Sequence, residues 1–175
     1  MMVKVRAVLE ITVALGLLLS ARAFAAELTF GQSESLPPEV HRVFSKKGLD
    51  EKFAFSSQLN PFYIQGDFNG DGRLDTAVLI QSRSSNKTGI AVFHAGGDHV
   101  FILGAGSFIA GAVDNDTFDW MDAWYAYRKR EVKRGADERK PPVLRGDALY
   151  VEKTGAASAI IYWDGSAYRW YQQGD

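Results

Sequence analysis

The sequence predicts an α+β domain: a mostly antiparallel sheet, made of a meander and a C-terminal hairpin, with two short helices. Three observations lead there. Short runs rich in β-branched and aromatic residues alternate with clusters of Gly, Asn, Asp and Ser, the pattern of strands joined by tight turns. Two segments carry apolar side chains at helical spacing. About 150 residues follow a leader-like start, enough to bury one core without staples, and the chain of 175 residues has no cysteine.

The first 25 residues have the layout of a secretory signal. Lys4 and Arg6 form a positive start, residues 11–19 an apolar stretch too short to span a bilayer, and Ala23-Phe24-Ala25 a small-x-small cleavage site. Residues 26–175 would then be one exported domain, periplasmic or secreted. Without cysteine there is neither a disulfide nor a lipid-modified cysteine anchor. The 20 basic and 21 acidic residues fall to 17 and 20 once Lys4, Arg6, Arg22 and Glu10 are removed, a net charge of −3. That balance argues against nucleic acid as a general partner. No later segment is long enough for a membrane helix, so a soluble monomer is expected.

In the exported part, Ser35 and Pro37-Pro38 precede a helical stripe of Val40, Val43 and Phe44. Lys46 and Lys47 occupy the last turn and Gly48 follows, so start and stop signals agree. Four strands are predicted at 62–65, 76–81, 89–94 and 99–103, linked by turns short enough to require antiparallel neighbours. The apolar run Val78-Leu79-Ile80 does not alternate, which implies that both faces of the central strands are covered. Asp116 or Thr117 then caps an expected second helix, with Trp120, Trp124 and Tyr127 at i, i+4 and i+7 on one stripe. Those rings form either a core face or a ligand groove. Residues 128–142 are locally basic without hydrophobic periodicity and are expected to be a solvated, mobile excursion, or a contact for an acidic partner. A hairpin follows, from 148–151 to 159–163, across Asp164-Gly165, to 167–171, with one ring-bearing face expected to be exposed.

The most specific signal is the run Asp67-Phe68-Asn69-Gly70-Asp71-Gly72-Arg73-Leu74-Asp75. It places oxygen-bearing side chains at loop positions 1, 3, 5 and 9, with a backbone carbonyl at 7 and glycine at 6, the needs of a hard cation that takes roughly 6–8 oxygens. The predicted calcium ligands are Asp67, Asn69, Asp71, the carbonyl of Arg73, and Asp75. Position 12 is Val78 inside a β-rich run, where an EF-hand needs a bidentate Glu and a helix. The segment 63–80 resembles the strand-loop-strand calcium turn of FG-GAP and VCBS repeats, in which the aspartate at position 9 closes the site. It occurs once, so the resemblance implies the turn and not a propeller. The competing reading is an ordinary Asp/Gly-rich turn without metal.

Catalytic motifs are lacking: no G-x-S-x-G, no H-E-x-x-H, and His41, His94 and His99 stand outside any nucleophile pattern. His94 and His99 flank a short turn and are a possible transition-metal pair. The expectation is a non-catalytic, calcium-binding module that recognises an envelope protein or a polysaccharide through aromatics near Trp120 and Trp163, with an inhibitor or immunity role as a special case. The alternative is a carboxylate-dependent hydrolase of cell-wall or exopolysaccharide material that draws its acids from Asp114, Asp116, Asp119 and Asp122. Helix capping is the simpler account of Asp114 and Asp116.

Overall fold

The computed structural model describes residues 27–112 and 115–174. The expected export signal at 1–25 and the acidic candidate Asp114 lie outside the described residues. Two helices open the described chain. The helix α1, Phe30–Glu34, is started by Thr29, which forms a reciprocal capping box with Gln32. The helix α2, Pro38–Lys46, has proline in its first turn, where no backbone donor is needed, and buries Val40, Val43 and Phe44.

The strands β1 (Phe53–Phe55), β2 (Tyr63–Gly66), β3 (Asp75–Ser82), β4 (Thr88–Phe93) and β5 (Val100–Gly104) form one antiparallel sheet. β3 lies at its centre; β2 pairs with residues 75–78 and β1 with residues 80–82 along the same edge, while β4 takes the other edge. A second antiparallel sheet is a four-stranded meander of β6 (Ala123–Tyr127), β7 (Ala148–Lys153), β8 (Ala157–Trp163) and β9 (Tyr168–Gly174).

Strand alternation sorts the side chains into layers. Ala77, Leu79, Ile90 and Val92 of the first sheet meet Leu149, Val151, Ala159, Ile161 and Trp170 of the second in a shared core. The alternate residues Val78, Ile80, Ala91 and Phe93 pack on Val40, Val43 and Phe44 of α2. On the far side, Ala148, Ile160 and Tyr171 are covered by Val132 and Leu144. The order is helix, sheet, sheet, irregular cover. Each fully buried Leu, Ile, Val or Phe contributes roughly 1.5–3 kcal/mol, so the two-sided burial of β3 and β4 makes them the centre of stability.

This architecture corrects the expected fold class. The domain is all-β with two short helices, not α+β: nine strands in two sheets stand against helices of five and nine residues among the described residues. The expected second helix is the strand β6. Trp124 and Ala126 face the shared core, whereas Tyr127 joins the outer cluster, an alternation of period 2. The i, i+4, i+7 spacing of Trp120, Trp124 and Tyr127 is coincidental, because Trp120 precedes the strand. Residues 128–142 are corrected too: Val132 is 4% exposed and is part of a core, so the segment is not a free excursion. In the last hairpin Tyr168, Trp170 and Tyr171 are all buried, so the expected exposed ring face is absent there.

Candidate metal-binding loop

Residues 67–74 connect β2 to β3. Gly70 and Gly72 take φ of +80° and +86°, the left-handed region that glycine enters without steric cost. Gly70 is constrained a second way: a Cβ there would lie 2.7 Å from the Arg145 carbonyl oxygen. With the chain so turned, backbone amides point at the aspartates. Asp67 Oδ1 accepts from the N–H of Gly70 at 2.8 Å and of Asp71 at 3.0 Å, and its Oδ2 from Gly72 at 3.0 Å. Asn69 Oδ1 accepts from Asp71 N–H at 2.9 Å, and Asp71 Oδ1 from Arg73 N–H at 2.9 Å.

Two carboxylates of this loop have opposite environments. Asp71 is exposed, and the Arg73 guanidinium, donating to Oδ2 at 2.9 Å, holds its carboxyl down at about 2. Asp75 is fully buried; Oδ2 accepts from Phe68 N–H at 3.0 Å and Asn69 N–H at 3.1 Å, and Oδ1 from Ala95 N–H at 2.8 Å in the β4–β5 turn. Burial pushes the Asp75 carboxyl above its ordinary range against the pull of those three donors. The structure thus gathers Asp67, Asn69 and Asp71 on one exposed turn and turns Asp75 inward as a clamp on the backbone.

The loop also sits where the two sheets meet. Phe68 is fully buried in the shared core. Asp147, just before β7, donates its N–H to the Asp67 carbonyl at 2.6 Å and accepts from Asp67 N–H at 3.2 Å. The same Asp147 carboxylate receives Arg128 Nη1 at 2.8 Å and Lys129 N–H at 2.8 Å. Asp147 therefore joins the loop to the second sheet and to the start of its cover. Sequence reasoning missed it, because a lone aspartate 80 residues from the loop carries no local signal.

The donor set suits calcium by chemistry, being hard oxygens at alternate positions of one turn with Arg73 contributing a carbonyl. A carboxylate has about four lone-pair sites, and Asp67 and Asp75 each use three of them on amides, so each retains one. Asp71 is committed to Arg73, and among the described residues no three carboxylate or imidazole groups stand as a ready metal cluster.

The other candidates are spent elsewhere. Asp116 pairs with Lys87, Asp119 accepts from Thr88 N–H and Oγ1, and Asp122 accepts from Thr154 N–H and Oγ1. Each ties a loop to a strand end. Thr154 and Lys153 hold the Asp122 carboxyl at about 2. His94 is buried and hydrogen-bonded through Nε2 to Tyr168 Oη at 2.9 Å, whereas His99, opposite it, is exposed. They do not form a metal pair. Trp120 and Trp163 are half-buried and packed against the shared core, Trp163 edge-on to His94 at 5.1 Å. On the second sheet the accessible ring is instead Tyr125, 44% exposed and stacked on Tyr150 at 4.8 Å, while Phe30 and Phe108 are exposed elsewhere.

Comparison with family models, with curated proteins and with solved structures finds no match for this chain. The functional reading rests on its own residues.

Proposed function

We propose that this chain is an exported, calcium-binding module that acts by recognising an envelope protein or polysaccharide rather than by catalysis. The observation that carries the reading is the 67–75 loop: an oxygen-rich turn of FG-GAP-like pattern wired through Asp75, Phe68 and Asp147 into both sheets. Asp67, Asn69, Asp71 and the Arg73 carbonyl would hold the ion, with Asp75 as the inner donor. Bound calcium would supply positive charge that relieves the repulsion between neighbouring carboxylates. The chain's own part is to release the Arg73 guanidinium from Asp71. Export rests on the leader-like residues 1–25, and among the described residues no helix is long and apolar enough to cross a membrane. The binding role is supported by the structural bonds of Asp116, Asp119 and Asp122, the described members of the acidic cluster, and by a ring and groove surface on the second sheet.

Melting of the mature domain with calcium and with chelator tests the metal. Ten times Kd should stabilise by about 1.4 kcal/mol. An unchanged melting temperature, together with no calcium by elemental analysis, sinks it. For the role, affinity capture from an envelope extract is expected to retain a discrete protein or glycan. Turnover of cell-wall material by the pure domain would overturn the non-catalytic reading.

A further inference from the structure

The basic stretch 128–134 is not absorbed by the calcium loop. Its anchoring shows that it is built rather than loose. Arg128 pairs with Asp147, Val132 and Leu144 are buried against the second sheet, and Ala136 N–H donates to the Gln173 carbonyl at 3.0 Å. Arg139 pairs with Asp137 and donates from Nη2 to the Trp170 carbonyl at 2.8 Å. Gly135 lies so close to β9 that a Cβ would stand 2.5 Å from the Gln173 carbonyl oxygen.

Held this way, residues 129–132 and 140–144 enclose a groove of about 710 Å³. Its walls include Val132, Pro141, Pro142, Val143 and Leu144, and Val143 is 89% exposed. Its cations are Lys129, Arg130 and Lys140, all exposed and, among the described residues, in no ion pair. Arg130 lies 4.1 Å over the Tyr127 ring, which fixes its direction. With Arg128 and Arg139 neutralised by Asp147 and Asp137, residues 128–140 keep Lys129, Arg130, Lys133, Arg134 and Lys140 against Glu131 and Glu138. A chain of net charge −1 thus concentrates uncompensated positive charge beside an apolar slot.

We infer that this groove is a docking site for an acidic peptide segment of a partner protein, one that alternates carboxylates with apolar side chains. The inference deepens the binding role proposed above and rests on it. Carboxylates meet Lys129, Arg130 and Lys140, and an apolar side chain covers Val143 beside Pro141 and Pro142. A polyanionic sugar satisfies the charges but leaves the aliphatic wall facing hydroxyl groups, which is why a peptide is favoured.

Fluorescence anisotropy tests this with a labelled peptide of alternating Asp and Phe, against Ser-Phe and Lys-Phe peptides of the same length and against polygalacturonate. The acidic peptide is expected to bind, and the two control peptides and polygalacturonate are not. The double substitution Lys129→Glu, Lys140→Glu should weaken binding more than about tenfold, and Val143→Ser should weaken it without changing its salt dependence. Melting curves of these exposed-site variants establish that they fold. Failure of the acidic peptide to bind, binding untouched by the charge reversal, or binding of polygalacturonate alone each overturns the inference. If the charge-reversed and native domains capture the same envelope protein, the groove is wrong and the binding role stands. If neither captures a partner and no peptide binds, both readings fail.

Discussion

The two outer faces of the sandwich are closed by different means. The first sheet is covered by α2, a regular amphipathic helix whose polar groups bond internally and whose buried side chains recur every three or four residues. The second sheet is covered by residues 128–145, which form neither helix nor strand and are pinned through Asp147, Arg139 and Gln173. A helical cover satisfies its own backbone and has only to be greasy on one side. An irregular cover must borrow partners from the sheet beneath, and that leaves cations and apolar groups facing outward. The first face is closed by its helix, and the second leaves Lys129, Arg130, Lys140 and Val143 exposed.

The largest expected effect tests the helical face. Phe44 is 4% exposed and stacked on Phe55 at 4.3 Å, so Phe44→Ala should cost about 3–5 kcal/mol in denaturant unfolding. Next comes the seam between the sheets: Asp75→Ala leaves three backbone donors, one buried and two part-buried, without their acceptor and should cost about 2–3 kcal/mol by the same measurement. On the irregular face, Leu144→Ala should cost about 2 kcal/mol, because Leu144 belongs to a small cluster of six buried residues on the outer side of the second sheet. A loss at Leu144 equal to that at Phe44 would erase the distinction drawn between the two covers.

A smaller effect depends on pH. Burial among Phe101, Trp163 and Tyr168 lowers the His94 value below the ordinary 6.5 and favours the neutral ring. The unfolded chain then binds more protons than the folded one just below 6.5, so stability is full above that value and declines as pH falls through the window. Melting temperatures from about pH 8 to 5 should show this, and His94→Gln should flatten the curve. The smallest effect belongs to the cationic rim: Arg130→Glu should change stability by no more than about 1 kcal/mol, because the side chain is exposed, enters no ion pair among the described residues and loses only its contact with the Tyr127 ring. Arg73→Ala, equally mild for stability, should tighten calcium binding in titration calorimetry by freeing Asp71.

Legibility in the sequence followed locality. The stop and start signals around α2, the strands β3 to β5, the β8–β9 hairpin and the 67–75 turn all announce themselves within a dozen residues. The β6 segment misled because three large rings at helical spacing outweighed its period-2 alternation, which becomes decisive only when β7 pairs with it. Val132 and Leu144 carried no periodicity at all; their burial depends on Tyr171 and Ile160, far along the chain.

By itself, then, the chain determined its hydrophobic alternation, one amphipathic helix, a cysteine-free composition and an oxygen-rich turn, since each is written in the spacing of near neighbours. Only the tertiary structure decided that the domain is a sandwich, that Asp75 clamps three amides from the interior while Asp71 faces outward, and that Asp147 joins loop, sheet and cover. The physical reason is that hydrogen-bond satisfaction of buried groups is settled between segments remote in sequence, where no local pattern records the partner.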